Sequence, residues 1–197
     1  MKSDIIVVQS NGKGRADVLK QTEAVAVYKG LKKKDALHLR LLAEEMMGML
    51  TAMVGEVRAE YWIQDEKNLF ELHLQTMTRM EPGKRQNLLS VATSGKNAAA
   101  KGVMGKIRDI FEAAIEARNI DGVLYDDWRF TSDYDFSGGL LSAYDGSWSL
   151  NQYREHLPKN KAEEWDELEK SIVANLADEV EIYIQGSHVE LVIYKKF

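Results

Sequence analysis

Cysteine is absent from the 197 residues, which excludes disulfides, thiolate metal sites and cysteine nucleophiles and agrees with a reducing, cytoplasmic setting. Long apolar runs are missing too. Ile5-Ile6-Val7-Val8 is too short for a signal peptide, and nothing approaches the roughly 18 uninterrupted apolar residues of a membrane span, so no membrane association is expected. Nor is there an excess of positive charge: 26 basic against 31 acidic side chains leave a formal charge of −5, and no nucleic acid partner is expected. Repeats and low-complexity segments are lacking. What is present, 45% hydrophobic and 29% charged residues, suits a single domain over residues 1–197.

Along the chain, the β-branched run Ile5 to Val8 reads as a strand closed by Ser10-Asn11-Gly12, and Ala16 to Tyr28 as a helix that Gly30 is placed to stop. A second helix runs from about Lys34 to Val54. On a helical wheel Leu39, Leu42, Met46, Met49 and Met53 fall within about 80° of one another, one continuous core-facing stripe. Val57 to Ile63 and the alternating Phe70, Leu72 and Leu74 form a hairpin around Asp65-Glu66-Lys67-Asn68, with His73 on its wet face as an ordinary exposed strand residue. Pro82-Gly83 opens a polar connection, Gln86 to Ala92 reads as a short helix, and Val103 to Arg118 as a longer one with Ile107, Ile110, Phe111, Ala114 and Ile115 on its apolar side.

Asp121 to Asn151 differs in composition. It holds seven of the seventeen aromatic residues, six aspartates, four glycines and one basic residue, Arg129, so its rings must bury against something and it cannot be a flexible linker. It reads as an insertion spanning about 121–161. Ser149 to His156 begins a helix, and Lys161 to Leu176 reads as one amphipathic helix with Trp165, Leu168, Ile172 and Leu176 on a single face. The chain closes with a hairpin, Val180, Ile182 and Ile184 alternating before Gln185-Gly186-Ser187 and Val189, Leu191 and Ile193 after it.

Chemistry-bearing patterns are sparse. Ser94-Gly95-Lys96-Asn97 through Lys101-Gly102-Val103-Met104-Gly105-Lys106 is the best candidate for a phosphate-binding loop leading into a helix, although its spacing is not that of a Walker A motif. Glu44 and Glu45 are adjacent on the long helix, and consecutive positions diverge by about 100°, so the two are not expected to share a substrate. Glu44 projects to solvent. Glu45 sits at the margin of the apolar stripe, where partial burial would raise its pKa and suit it to general-base work. Asp133-Tyr134-Asp135-Phe136-Ser137-Gly138 matches the first half of a calcium loop, but Tyr144 stands where the closing glutamate belongs. The histidines, His38, His73, His156 and His188, show no zinc spacing.

The order of these elements, with Leu39-Arg40-Leu41-Leu42-Ala43-Glu44-Glu45 on the long helix and Leu176-Ala177-Asp178-Glu179-Val180-Glu181-Ile182 leading into the final hairpin, resembles the GHKL ATPase family. Within that family of histidine kinases, gyrase and anti-sigma serine kinases, the chain is most similar to the small anti-sigma type. The resemblance covers about 130 residues and leaves out Asp121 to about Lys161. It implies an α/β two-layer sandwich, a mixed sheet packed on helices. It also implies an ATP site in which an acid four positions before an asparagine activates water while the asparagine holds Mg²⁺. Glu45 matches the acid, but Met49 stands at the asparagine position, and the alternative register from Glu44 meets Gly48. The adenine motif Asp-x-Gly-x-Gly is replaced by Thr76-Met77-Thr78-Arg79-Met80, and the later glycine motif is similar to Lys101 through Lys106. The lid would be Pro82 to Ala100.

By this resemblance Glu45 is the candidate base, and Thr76, Thr78, Gly95, Lys96, Asn97, Lys101, Gly102, Gly105 and Lys106 are the candidate nucleotide contacts. Mg²⁺ is not expected, because a thioether is a poor substitute for the hard oxygen ligands that ion requires. The leading expectation is a cytoplasmic regulatory protein with a partly decayed ATP site, acting by binding a protein partner, with ATP held but not efficiently hydrolysed. A homodimer is compatible with it. The rivals are an active ATP-dependent protein serine kinase and an interaction module without a nucleotide role, its old pocket filled by Met46, Met49 and Met77.

Overall fold

The computed structural model describes residues 1–53, 55–76, 102–117, 147–185 and 188–197. Strand β1 (Ile6–Gln9) leads into helices α1 (Arg15–Tyr28) and α2 (Lys33–Thr51), then into the hairpin β2 (Arg58–Glu66) and β3 (Leu69–Thr76). Helix α3 (Gly102–Ala117) follows, then β4 (Ser147–Ser149), α4 (Leu150–His156), α5 (Ala162–Lys170), α6 (Ile172–Leu176) and the hairpin β5 (Glu179–Gln185) and β6 (His188–Lys196). The strands form one sheet in the order β1-β2-β3-β6-β5-β4.

Every pairing in this sheet is antiparallel, not mixed as the resemblance implies. The reason is the number of passes between strands. One crossover helix returns the chain to the start of a parallel neighbour, whereas α1 and α2 make two passes and deliver it to the opposite end, so β2 must run against β1. The architecture is otherwise the expected pair of layers. Val8, Tyr61, Leu72, Leu74, Leu191, Ile182 and Trp148 line the inner sheet face and share one core with the buried faces of the helices. Helix α2 is central to that layer, packed by α1, α3 and α6. Its stripe of Leu39, Leu42, Met46 and Met49 is buried throughout, and Met53, past the helix end at Thr51 and short of the expected Val54, is buried as well.

Local chemistry sets the element ends. Gly14 precedes α1 at φ 85°, and a Cβ there would come within 2.5 Å of the Val7 carbonyl oxygen, so only glycine fits. At the other end Gly30, φ 66°, donates to the Val27 carbonyl at 3.0 Å and Leu31 to the Ala26 carbonyl at 3.0 Å, the Schellman pattern that stops α1 as expected. Lys67 and Asn68, both at positive φ, make the two-residue turn between β2 and β3. Asp65, expected in that turn, instead lies in β2 with its side chain 5% exposed and its carboxylate 2.5 Å from the Lys29 ammonium.

Two further expectations give way. Residues 161–176 form two helices, because Ser171 adopts an extended conformation and its Oγ accepts the Ala174 N–H at 3.2 Å, capping α6 in place of continuing α5. The shared apolar face is thereby broken: Leu168 is buried while Ile172 is exposed. The outer face of the β2–β3 hairpin is also not simply wet. His73 stacks on Trp62 with ring centroids 4.7 Å apart, Lys2 lies 4.4 Å from the Trp62 ring, and the His73 ring nitrogens sit 2.8 Å from Glu190 and 3.3 Å from Glu71. His73 is therefore half-buried within a charged aromatic cluster, where a hairpin alone would leave it in water.

Part of the 121–161 segment is built into the sheet and core. Strand β4 pairs with β5, and Trp148, Leu150, Tyr153 and Leu157 are buried. The helix expected at Gln86 to Ala92, the lid Pro82 to Ala100, the calcium-like loop from Asp133 to Tyr144 and the turn residues Gly186-Ser187 lie outside the described residues. Among the described residues no helix is long and apolar enough to cross a membrane.

Candidate functional site

Helical spacing places Glu44, Gly48 and Ala52 in one row of α2 and Glu45 and Met49 in the next, a flank that turns away from the sheet and toward the start of α3. Across from it α3 presents Met104, Gly105 and Arg108, and Arg15 joins from the first position of α1. These residues enclose an open cleft of about 330 Å³, at the lower end of the roughly 300–1,000 Å³ usual for small-molecule sites. Met49 forms part of its wall and leaves the space open. A Cβ added to Gly48 would meet nothing within 4 Å, another measure of the room on this flank.

Four ionisable side chains line the cleft. Glu44 pairs with Arg40 at 3.0 Å, and Arg40 also reaches Glu23 at 2.9 Å. Glu44 and Glu45 face the same cavity, contrary to the expectation that their divergence would separate them, because the cleft is wide enough to span both helix rows. Desolvation, followed by the neighbouring Glu44 charge, holds the Glu45 carboxyl above its ordinary value, the direction its position at the stripe margin implies.

Arg108 is the unusual member. It is 2% exposed, and its Nε has no hydrogen-bond partner among the described residues. Nη1 donates to the Ala52 carbonyl at 3.5 Å and Nη2 to Asp109 at 3.3 Å, both long for a charged donor. A guanidinium has five N–H groups, and among the described residues this buried one makes only these two contacts. Arg15 adds a second permanent positive charge, and Met104 and Gly105 bring the described start of α3 to the cleft. Together these groups suit an anion.

Of the candidate site residues, the cleft gathers Glu45 and Gly105, while Gly102 supplies the first residue of α3. Thr76 and Lys106 are elsewhere. The Thr76 hydroxyl is buried against β6, 3.3 Å from both the N–H and the carbonyl oxygen of Val189. Lys106 turns to the opposite side of α3, where its ammonium donates to the Tyr153 hydroxyl, lies 4.7 Å from the Tyr153 ring and is 3.8 Å from Glu164. Thr78, Gly95, Lys96, Asn97 and Lys101 lie outside the described residues. Arg15 and Arg108 are functional candidates that sequence reasoning missed. The one signal for Arg108 is its wheel position, about 100° from Ile107 and close to the apolar side of its helix.

Met49 places a thioether on the cleft wall where the resemblance expects a hard oxygen ligand. Among the described residues there is no group of three or more His, Cys, Asp or Glu side chains arranged to hold a metal ion. No family model matches the chain, and neither a curated protein nor a solved structure matches it.

Proposed function

We propose that the chain is a cytoplasmic regulatory protein of GHKL-like descent that holds ATP in the α2–α3 cleft without efficient hydrolysis and acts by binding a protein partner. The observation that carries the nucleotide part is the open cleft between Glu45 and Met49 on one side and Gly105 on the other. That is the place where the resemblance puts a triphosphate. An interaction module whose old pocket had closed over would have Met49 packed across this space, and the open cleft favours the binding reading over that one. The loss of hydrolysis follows from Met49: without a hard oxygen ligand there, a metal cannot align the phosphates, even with Glu45 placed to activate water. The regulatory and partner-binding role rests on the likeness of Leu39 to Glu45 and of the final hairpin to the small anti-sigma type.

Isothermal titration of the whole chain with ATP tests the reading. Binding that disappears in Gly48→Trp, a side chain that would occupy the cleft from an otherwise open position, supports it. Equal binding in that variant, or none in the wild type, overturns it. A phosphate-release assay then separates binding from catalysis: turnover abolished by Glu45→Gln would show an active enzyme instead.

A further inference from the structure

We infer that Arg108 and Arg15, which line the cleft from α3 and α1, form a metal-independent receptor for a phosphate-type oxyanion. The inference deepens the nucleotide reading and rests on it for the ligand, but its physical basis is separate. Burying a guanidinium and leaving its Nε unbonded is costly, and natural interiors almost always supply the missing acceptor. Here the described residues supply only two long contacts, to Ala52 and Asp109, while the same side chain lines a cleft open to solvent. An oxyanion entering the cleft would provide the acceptor.

The class of ligand follows from the donors. Guanidinium presents planar, paired N–H groups that match phosphate oxygens, and it cannot lose its charge near neutral pH. Met104 and Gly105 bring the described start of α3 to the same space. Gly105 has no side chain to obstruct that approach. Glu44 is paired with Arg40, while Glu45 in the cleft and Asp109, 3.3 Å from Arg108 Nη2, offset part of the charge of the two arginines. The two guanidinium groups line the same cleft as Met49, the position where the resemblance expects an oxygen ligand for a divalent cation. The phosphate group could belong to a nucleotide or to a free inorganic ion, and the shared chemistry is the phosphoryl oxygen set.

The test is isothermal titration of the full chain with pyrophosphate, ADP and ATP, each in EDTA and in Mg²⁺. Expected are binding in EDTA, no gain on adding Mg²⁺, and about tenfold or greater weakening in Arg108→Met, the scale of losing charge-assisted hydrogen bonds. Arg15→Gln, an exposed change that spares the core, should weaken binding in the same direction. Pyrophosphate binding without nucleotide binding would uphold this inference and sink the ATP reading. ATP binding that requires Mg²⁺, or that is unchanged in both folded arginine variants, would sink the inference and leave the ATP reading standing. No binding of any of the three in either medium overturns both.

Discussion

Replacing Arg108 with methionine should make the ligand-free protein more stable, an unusual outcome for a residue only 2% exposed. Among the described residues the guanidinium has one donor with no partner and two contacts at 3.5 Å and 3.3 Å. A single buried unsatisfied donor costs about 1–3 kcal/mol, and substituting poorly paired buried charges with apolar groups of similar volume gains about 1–4 kcal/mol in other systems. Methionine preserves most of the stem packing and removes the charge, so a gain of about 1–3 kcal/mol is expected. With a urea m-value of roughly 2 kcal/mol/M, that moves the denaturation midpoint up by about 0.5–1.5 M. Urea titrations followed by circular dichroism in a phosphate-free buffer would measure it. A lower midpoint for Arg108→Met would refute the reasoning, because it would mean that the contacts to Ala52 and Asp109 already satisfy the group and that nothing is left for a ligand to satisfy. Repeating the titration with pyrophosphate adds a second check: the wild type should gain stability and the variant should not.

Other perturbations address the scaffold and its ionisable groups. Burial pushes the Asp65 carboxyl up, but hydrogen bonds from Lys29 and the terminal ammonium outweigh it and leave the pKa below the ordinary 3.8. Its contribution is therefore present above that value and lost as pH falls through the lowered pKa, so Asp65→Asn should cost about 1.5–3 kcal/mol at neutral pH and progressively less in acid. A loss independent of pH would contradict this. For Glu45 the sign reverses: desolvation and Glu44 raise its pKa above 4.5, so its favourable contribution is complete below 4.5 and disappears as pH rises through the raised value. Glu45→Gln should accordingly melt higher than wild type at neutral pH and level with it in acid, and a lower Tm at neutral pH would count against the half-buried placement. In the β2–β3 turn, where Lys67 and Asn68 sit at φ 51° and 67°, the pair Lys67→Asn and Asn68→Gly should stabilise by about 1 kcal/mol, measured by chemical denaturation. No gain would show that the turn strain is already relieved elsewhere.

The parts of the fold that follow a period were legible in the sequence. Helix α2 announces itself through Leu39, Leu42, Met46, Met49 and Met53, and the final hairpin through alternation that becomes the register Val180↔Ile193, Ile182↔Leu191 and Ile184↔Val189. Features set by one residue or by tertiary pairing were not. Ser171 divides a continuous-looking amphipathic stripe because a hydroxyl captures one backbone N–H, and β4 is three residues long, too short for any alternation to register. Strand direction depends on how many times the chain crosses the layer, which no local pattern records. At the site, Glu45 was legible because a carboxylate at the edge of an apolar stripe stands out. Arg15 and Arg108 were not, because arginine is ordinarily read as a solvated residue and only tertiary packing buries one of them. Lys106 misled for the opposite reason: a lysine after glycine suggests phosphate, but the helix turns its ammonium to Tyr153.

The placement of β6 has a consequence for biosynthesis. Its partners are β3 on one side and β5 on the other, so, among the described residues, 188–196 are the only bridge between the two halves of the sheet. During translation both halves exist before their bridge does, each with a raw edge of unsatisfied amides and carbonyls along a hydrophobic strand. The nascent chain therefore cannot close its core progressively from the N-terminus. It completes the sheet only after the last strand has cleared the ribosome, and until then Leu74 and Ile182 await the same partner, Leu191. A ribosome stalled just short of Val189 would hold a chain with β1 to β5 already synthesised and no continuous sheet, the state in which chaperone capture is expected to be greatest.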